Sequence, residues 1–521
     1  MILRAYDPVP EGTCQFEAGI SNPWLSPVTR KTMRKSDLSS AIKTARDIMR
    51  KDAGLSTDVD RIPQLAWLLF LKCFDDLEQR RLLLGGKYRD VIEAPYRWRD
   101  WAADEDRGRT GDDLLGFVNN ALFPYLRGLT GSGEGDQRDV IAAIFRETYN
   151  RMLSGYLLRD VVNLVNRINF NSSDDIHTLS HLYESMLREM RDAAGTNGEF
   201  YTPRPVVRFM VERIAPRIGE TVYDPAPGTC GFLVDAYEYM RQQQHTIEDR
   251  ETLQMHTLYG TEKKPMPYLL GMMNLLLHGI EYPNLVRDNT LARPLHEITD
   301  RQRHDVIVTN PPFGGEEETG IQANFPEGTR TSETALLFLQ FIMRSLRRFT
   351  GERPGGRCAM VLPNGPLFAG GLAARIKQEL LEQFNLHTIV RLPNGVFAPY
   401  TSIPTNLLFF QRDGPTREIW YYELLPPEGR KQYTKTRPLA DAEFDECRAL
   451  WDARPVTAHS WRVPVAQVVE SGYNLDVKNP ANQGGLAHRS PEELVEAVLS
   501  KEQRIADLVG RIQQALREAR L

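Results

Sequence analysis

Asn310-Pro311-Pro312-Phe313 sets an amide, a run of backbone carbonyls and a flat aromatic ring side by side. The two prolines remove two backbone donors and fix φ. The Asn310 side-chain oxygen and the Asn310 and Pro311 carbonyls are then placed to converge on one external amino group, with Phe313 offering a face beside them. That combination suits an exocyclic amine on an aromatic base. Accepting hydrogen bonds from such an NH₂ draws its lone pair out of ring conjugation and makes it a better nucleophile. The tetrapeptide follows Asp305-Val306-Ile307-Val308-Thr309, an apolar run that reads as a buried strand. Open α/β sheets carry their chemistry at such strand exits. An Asn-Pro-Pro turn by itself also closes strands with no chemistry attached, so the reading needs a second signal.

That signal lies upstream. Residues 221–236 read as strand, glycine-bearing turn and helix, around Asp224-Pro225-Ala226-Pro227-Gly228-Thr229-Cys230-Gly231-Phe232-Leu233. Gly228 and Gly231 allow the backbone to approach a ligand closely. The start of the following helix offers free N–H groups to a carboxylate. No Lys-Ser or Lys-Thr follows the glycines, which excludes a phosphate loop. A second strand, expected over 255–259, leads to Gly260-Thr261-Glu262. An acidic residue at the tip of that strand is placed to hold ribose hydroxyls.

Together the Asp-Pro-x-x-Gly-Thr-x-Gly-Phe-Leu and Asn-Pro-Pro-Phe motifs resemble the amino-methyltransferases that use S-adenosylmethionine. Gly198-Glu199-Phe200-Tyr201-Thr202-Pro203-Arg204-Pro205 narrows the resemblance to the modification (M) subunits of type I restriction–modification systems, which are N6-adenine DNA methyltransferases. The resemblance runs from about residue 35 to the C-terminus. It implies that Glu199, Phe200, Tyr201, Thr202, Pro203 and Arg204, together with Asp224, Gly228, Thr229, Cys230, Gly231 and Glu262, form the S-adenosylmethionine site, and that Asp288 meets the cofactor adenine. It assigns Asn310, Pro311, Pro312 and Phe313 to the target base. Where many members of the family carry Gly, this chain carries Cys230. No metal is required by this chemistry.

The elements that must position these residues suggest an α/β protein: a doubly wound, Rossmann-like methyltransferase domain over 191–425, preceded by a mainly helical domain over 35–190. A Pro- and Gly-rich stretch, 1–34, reads as an extended arm, and 426–521 as a C-terminal region with a helical tail. Ser36 is the expected cap of a first helix with Leu38, Ile42, Ala45 and Met49 on one face. Another apolar-striped helix is expected over 176–190. Buried strands are expected over 357–362, 386–390, 407–410 and 419–422. The polar stretch 314–330 reads as a flap that orders when DNA or a partner arrives. At the end of the chain, Ser490-Pro491-Glu492-Glu493 forms a capping box. Val498, Ile505, Ile512 and Ala519 then recur every seven residues, a heptad stripe suited to docking on another helix.

Composition bounds the rest. The chain has 521 residues, 41% hydrophobic and 26% charged, with a net charge of −5. Cys14, Cys73, Cys230, Cys358 and Cys447 show no paired spacing, which points to a reducing cytoplasm rather than a disulfide framework or zinc site. The apolar run Leu65 to Leu71 is too short to span a bilayer, so no membrane role is expected. A slightly acidic chain is a poor solitary DNA binder; its basic clusters at Arg30-Lys31, Arg34-Lys35, Arg204 with Arg208 and Arg344 with Arg347-Arg348 are local. No helicase or nuclease constellation stands out. The expected partners are duplex DNA and, as the resemblance implies, a specificity (S) subunit on helix 490–521, a second copy of the M subunit and a restriction (R) subunit. Two other readings stay open at this point: a methyltransferase acting on a protein glutamine amide, and a non-catalytic assembly subunit on the same fold.

Overall fold

The computed structural model describes residues 35–83, 89–132, 136–168, 202–280, 282–398, 401, 403–434 and 436–481, and in the tail only 502, 503 and 509. The expected arm 1–34, the striped helix 176–190, the motif residues 198–201 and nearly all of helix 490–521 lie outside the described residues.

Nine strands form one sheet: β1 Val222–Asp224, β2 Leu258–Glu262, β3 Asn284–Arg287, β4 Val306–Thr309, β5 Arg357–Pro363, β6 Asn385–Arg391, β7 Thr405–Gln411, β8 Glu418–Glu423 and β9 Ser460–Pro464. Their order is β3-β2-β1-β4-β5-β7-β6-β8-β9. β1 runs parallel to β2 and β4, and β4 parallel to β5. β7 is antiparallel to both its neighbours, β5 and β6. Parallel pairs need crossovers, and helices Gly231–Arg241, Pro265–Leu277 and Thr334–Ser345 provide them after β1, β2 and β4. The chain winds outward from β1 to β3 and returns on the other side of β1 as β4. The switch point between β1 and β4 opens a crevice at their C-terminal ends.

Strand residues alternate between two cores, as the period of two requires. Val306, Val308, Ala359, Val361, Leu407 and Phe409 face one core. Ile307, Cys358, Met360, Leu408 and Phe410 face the other. The first core is continuous with the helical N-terminal region through Trp67, Phe70, Phe123 and Phe145. The run from Leu65 to Leu71 sits in helix Asp58–Leu83 with every residue 2% exposed or less. Lys72, which interrupts it, is buried against Asp76 at 2.5 Å, so the charge is neutralised within one turn of the helix. Among the described residues no helix is long and apolar enough to cross a membrane.

Three expectations change, and one strand appears that the sequence did not announce. β2 covers 258–262 rather than 255–259, because a Thr246–Asp249 capping box starts a helix that runs on to Met255. Glu262 is thus the last residue of the strand instead of lying beyond it. β3 carried no readable signal: of its four residues only Leu285 is buried. The sheet also continues past 425, where β9 pairs with β8 and Trp461 stacks on Tyr421 at 5.3 Å. The stretch 314–330 packs onto the body of the protein. It forms the turns Thr319–Gln322 and Glu327–Thr329, buries Phe325 to 2% exposure, and Asn324 Nδ2 donates to the Leu291 and Ala292 carbonyls at 3.0 and 2.9 Å. The apolar Phe325 within an otherwise polar sequence is the anchor. Ser36 lies inside the first helix, Lys35–Met49, which buries Ala45 and Met49 as the striping requires.

The glycine turn is pressed against helix Pro265–Leu277. A Cβ at Gly271 would lie 2.6 Å from Cys230 Sγ and 3.0 Å from the Gly228 carbonyl oxygen. Gly271→Ala should therefore lower stability by about 1–3 kcal/mol, and adding Cys230→Gly should recover part of that loss. A double-mutant cycle on thermal midpoints reads the coupling; purely additive effects would show that the two positions do not press on each other.

Candidate active site

Three strand ends meet at the crevice. β1 ends at Asp224, β2 at Glu262, and Asn310 directly follows β4. Beyond β1 the backbone turns through Gly228 at φ 53° and Cys230 at φ 61°, both left-handed, and enters helix Gly231–Arg241. These two reversals let the turn curl over the strand ends. Glu262 holds it there: Gly228 N–H donates to Glu262 Oε2 at 3.0 Å and Lys264 N–H donates to Oε1 at 2.8 Å. Thr290 Oγ1 donates to the Pro225 carbonyl at 2.7 Å and braces the turn from the other side.

The result is a cleft open to solvent. Thr202, Arg204, Gly228, Thr229, Gly231, Glu262, Asn310 and Pro312 line it, as the sequence reading expects. Arg204 bridges its own helix to the turn, donating to the Gly231 carbonyl at 3.2 Å and lying 3.3 Å from Asp235. Other expected residues are not brought to the wall. Asp224 is wholly buried beneath the turn, where Ala226 N–H donates to it at 3.0 Å. The Cys230 side chain is buried and directed at Gly271, away from the cleft. Pro203 and Pro311 are buried, so their contribution is to backbone shape. Asp288 is exposed and lines a neighbouring depression, while the next residue, Asn289, reaches the cleft. Asp288 instead accepts from its own Asn289 N–H at 2.7 Å, the local turn bond that Asp readily forms. Glu199, Phe200 and Tyr201 lie outside the described residues.

Two features escaped the sequence reading. Lys263 Nζ pairs with Glu317 across the lip of the cleft at 3.1 Å, joining β2's exit to the stretch that follows Phe313. Phe397 meets Phe313 edge to face, with centroids 5.5 Å apart and planes at 84°. Both pairings join residues far apart in sequence, so no local pattern announces them.

Electrostatically the floor is acidic. Burial pushes Asp224 up to about 7, and the neighbouring Glu262 carboxylate adds to the rise. Burial also raises Glu262, against the pull of the Lys264 and Gly228 N–H groups. Such a floor favours a ligand that brings positive charge. Above it, Asn310 Nδ2 donates to Thr202 Oγ1 at 3.0 Å, and Asn310 Oδ1 is buried with no partner. That leaves the Asn310 oxygen with free acceptor capacity beside the cleft.

A doubly wound sheet with an antiparallel seventh strand and a glycine-turn cleft at its switch point is the architecture of the S-adenosylmethionine-dependent methyltransferases. Known proteins sharpen that assignment. Residues 174–488 match the model of the N-6 DNA Methylase family and residues 38–165 that of the HsdM N-terminal domain. The methylase subunit of the type I restriction enzyme EcoEI from Escherichia coli is 46% identical over 489 residues, which is 92% of this chain and 97% of that one. A crystal structure from Vibrio vulnificus YJ016, of a modification subunit assigned to a type I restriction enzyme, superposes with a TM-score of 0.82 at 56% identity, over 88% of this chain and 99% of that one. A chain from a structural study of complex assembly and conformational transition in the type I R-M system matches at 46% identity with a TM-score of 0.77, over 94% and 99%. The chain belongs to the N-6 DNA methylase family, among the methylase subunits of type I restriction enzymes. It is an adenine-specific DNA methyltransferase, and the comparisons do not favour the protein-glutamine and non-catalytic readings.

Glu262→Ala should weaken binding of S-adenosylmethionine by roughly tenfold or more, since hydrogen bonds to a charged group contribute about 1.5–3 kcal/mol each. Calorimetric titration of the cofactor checks this; an unaltered Kd would reduce Glu262 to a brace for the turn.

Proposed function

We propose that the cleft between β1, β2 and β4 binds S-adenosylmethionine and delivers its methyl group to the N6 amine of an adenine presented at Asn310. The observation that carries the reading is the buried, unpartnered Asn310 Oδ1 at the edge of a cleft whose other end holds Glu262. The residues present fit the cofactor. Glu262 has one N–H on each oxygen and keeps lone pairs for ribose hydroxyls. Gly228 and Gly231 leave the turn without side-chain bulk on the wall, and the acidic floor suits a sulfonium. Bound S-adenosylmethionine supplies a methyl group already activated by positive sulfur.

The chain's own residues then orient and polarise. Asn310 Oδ1 and the Pro311 carbonyl accept from the target amine, which directs its lone pair at the methyl carbon. Phe313 takes the flat face of the base, and Phe397, edge-on to Phe313, closes the corner of that pocket. An adenine stacked in duplex DNA does not reach this corner, so the base is flipped out of the helix before transfer. Catalysis here is orientation plus preorganised acceptors.

The relatives' type I context supports an assembly reading. The specificity subunit chooses the base sequence and docks on helix 490–521, a second copy of this chain flanks it, and a restriction subunit joins the full complex. The net charge of −5 supports the same view, because a chain of this sign gains little from phosphate attraction alone.

Asn310→Ala should abolish methyl transfer while leaving cofactor affinity nearly unchanged, as measured by incorporation of labelled methyl into cognate DNA beside calorimetry. Phe313→Ala should lose base capture worth about 1–3 kcal/mol, whereas Phe313→Tyr should retain substantial activity; equal activity of the two would remove stacking from the mechanism. Truncation before Ser490 should give a folded, cofactor-binding chain that no longer co-purifies with its specificity subunit. Assembly and site-specific methylation by the truncated chain would place the docking surface elsewhere.

A further inference from the structure

The segment that opens the cofactor wall also touches the amide at the target end. An amide has two ends of similar size and opposite hydrogen-bonding character. Only one of its two orientations presents oxygen to an incoming amine; the other sets NH₂ against NH₂. At Asn310 the Thr202 hydroxyl accepts from Nδ2 at 3.0 Å, and Oδ1 is thereby left as the end without a partner. Both side chains line the same cleft.

Thr202 is itself held in place. It leads through Pro203 into helix Arg204–Ile214, and the Arg204 guanidinium donates to the Gly231 carbonyl at 3.2 Å and lies 3.3 Å from Asp235. Residues 202–204 thus form a strut. One end grips the turn and first helix of the cofactor wall, and the other grips the acceptor for the target base.

We propose that Thr202 is a positioning residue for methyl transfer. Its hydroxyl sets the orientation of the Asn310 amide so that Oδ1 faces the target amine, and Arg204 links that orientation to the glycine turn. The proposal rests on the reading of Asn310 as the acceptor for the amine and adds what fixes its direction. Thr202→Val keeps the shape and removes the hydroxyl. Thr202→Ser keeps the hydroxyl. Asn310→Asp offers two equivalent oxygens, so it has no orientation to be set.

The test uses the chain assembled with its specificity subunit, single-turnover methyl transfer to cognate duplex at saturating cofactor, and cofactor Kd by calorimetry. T202V should slow transfer by about tenfold, the scale of one lost hydrogen bond, with a clearly smaller change in the Kd for S-adenosylmethionine. T202S should stay close to wild type, and T202V should add no further slowing in the N310D background. If T202V weakens the cofactor in step with the rate, Thr202 serves the cofactor alone and the proposal is overturned. Equal slowing by T202V in the wild-type and N310D backgrounds overturns it too. Should N310D be inactive, the serine rescue and the split between rate and affinity decide the same question. Wild-type transfer by N310A would instead overturn the acceptor role of Asn310, a separate failure that the same assay distinguishes.

Discussion

The buried carboxylate of Glu262 is the interaction on which the cleft depends. It ends β2 at 6% exposure, and its two oxygens take the backbone N–H groups of Gly228 and Lys264. The first bond pulls the glycine turn from β1 across to the neighbouring strand. The second fixes the entry into helix Pro265–Leu277. A carboxylate so placed is costly to bury, and its raised pKa records that cost. The two N–H bonds offset part of it. What remains is an acidic floor of two neighbouring buried carboxyl groups, Glu262 and Asp224.

The two ends of the cleft are built on different physics. At the glycine turn the backbone does the work: two left-handed residues, Gly228 and Cys230, curl the turn, and Gly271 on the helix behind it leaves room for Cys230. Beyond β4 side chains do it: one amide bonded to one hydroxyl, and two aromatic rings at right angles. Residues 202–204 and the Lys263–Glu317 pair link the two ends.

Legibility in the sequence followed the locality of each signal. β4 and β5 were readable because their residues are buried on both faces and form continuous apolar runs. The glycine turn and Asn-Pro-Pro-Phe were readable because their chemistry is written in consecutive residues. β3 was not, since an edge strand with one buried residue has no pattern to show. The start of β2 was misplaced because helix and strand abut near His256, where no glycine or proline separates them. Phe325, Phe397 and Glu317 gained their meaning only from tertiary contacts. Cys230 shows the opposite case: its place in the motif suggested the cofactor, yet its positive φ turns the thiol into the core, where Gly271 accepts it.

The helical N-terminal region is more than an appended module. Its helix Asp58–Leu83 is buried at every residue from Gln64 to Asp76, and the crossover helix Pro265–Leu277 at every residue from Pro267 on; both contribute to one core. A helix of that kind is stable only when covered on all sides, so each is part of the other's burial. Helix Pro265–Leu277 starts three residues after Glu262 and carries Gly271 against the turn. Arg287, at the end of β3, pairs with Glu147 of the helical region on the same flank. The helical region and the elements behind the cleft therefore share one continuous apolar core, which gives the two halves of the chain a physical reason to occur together.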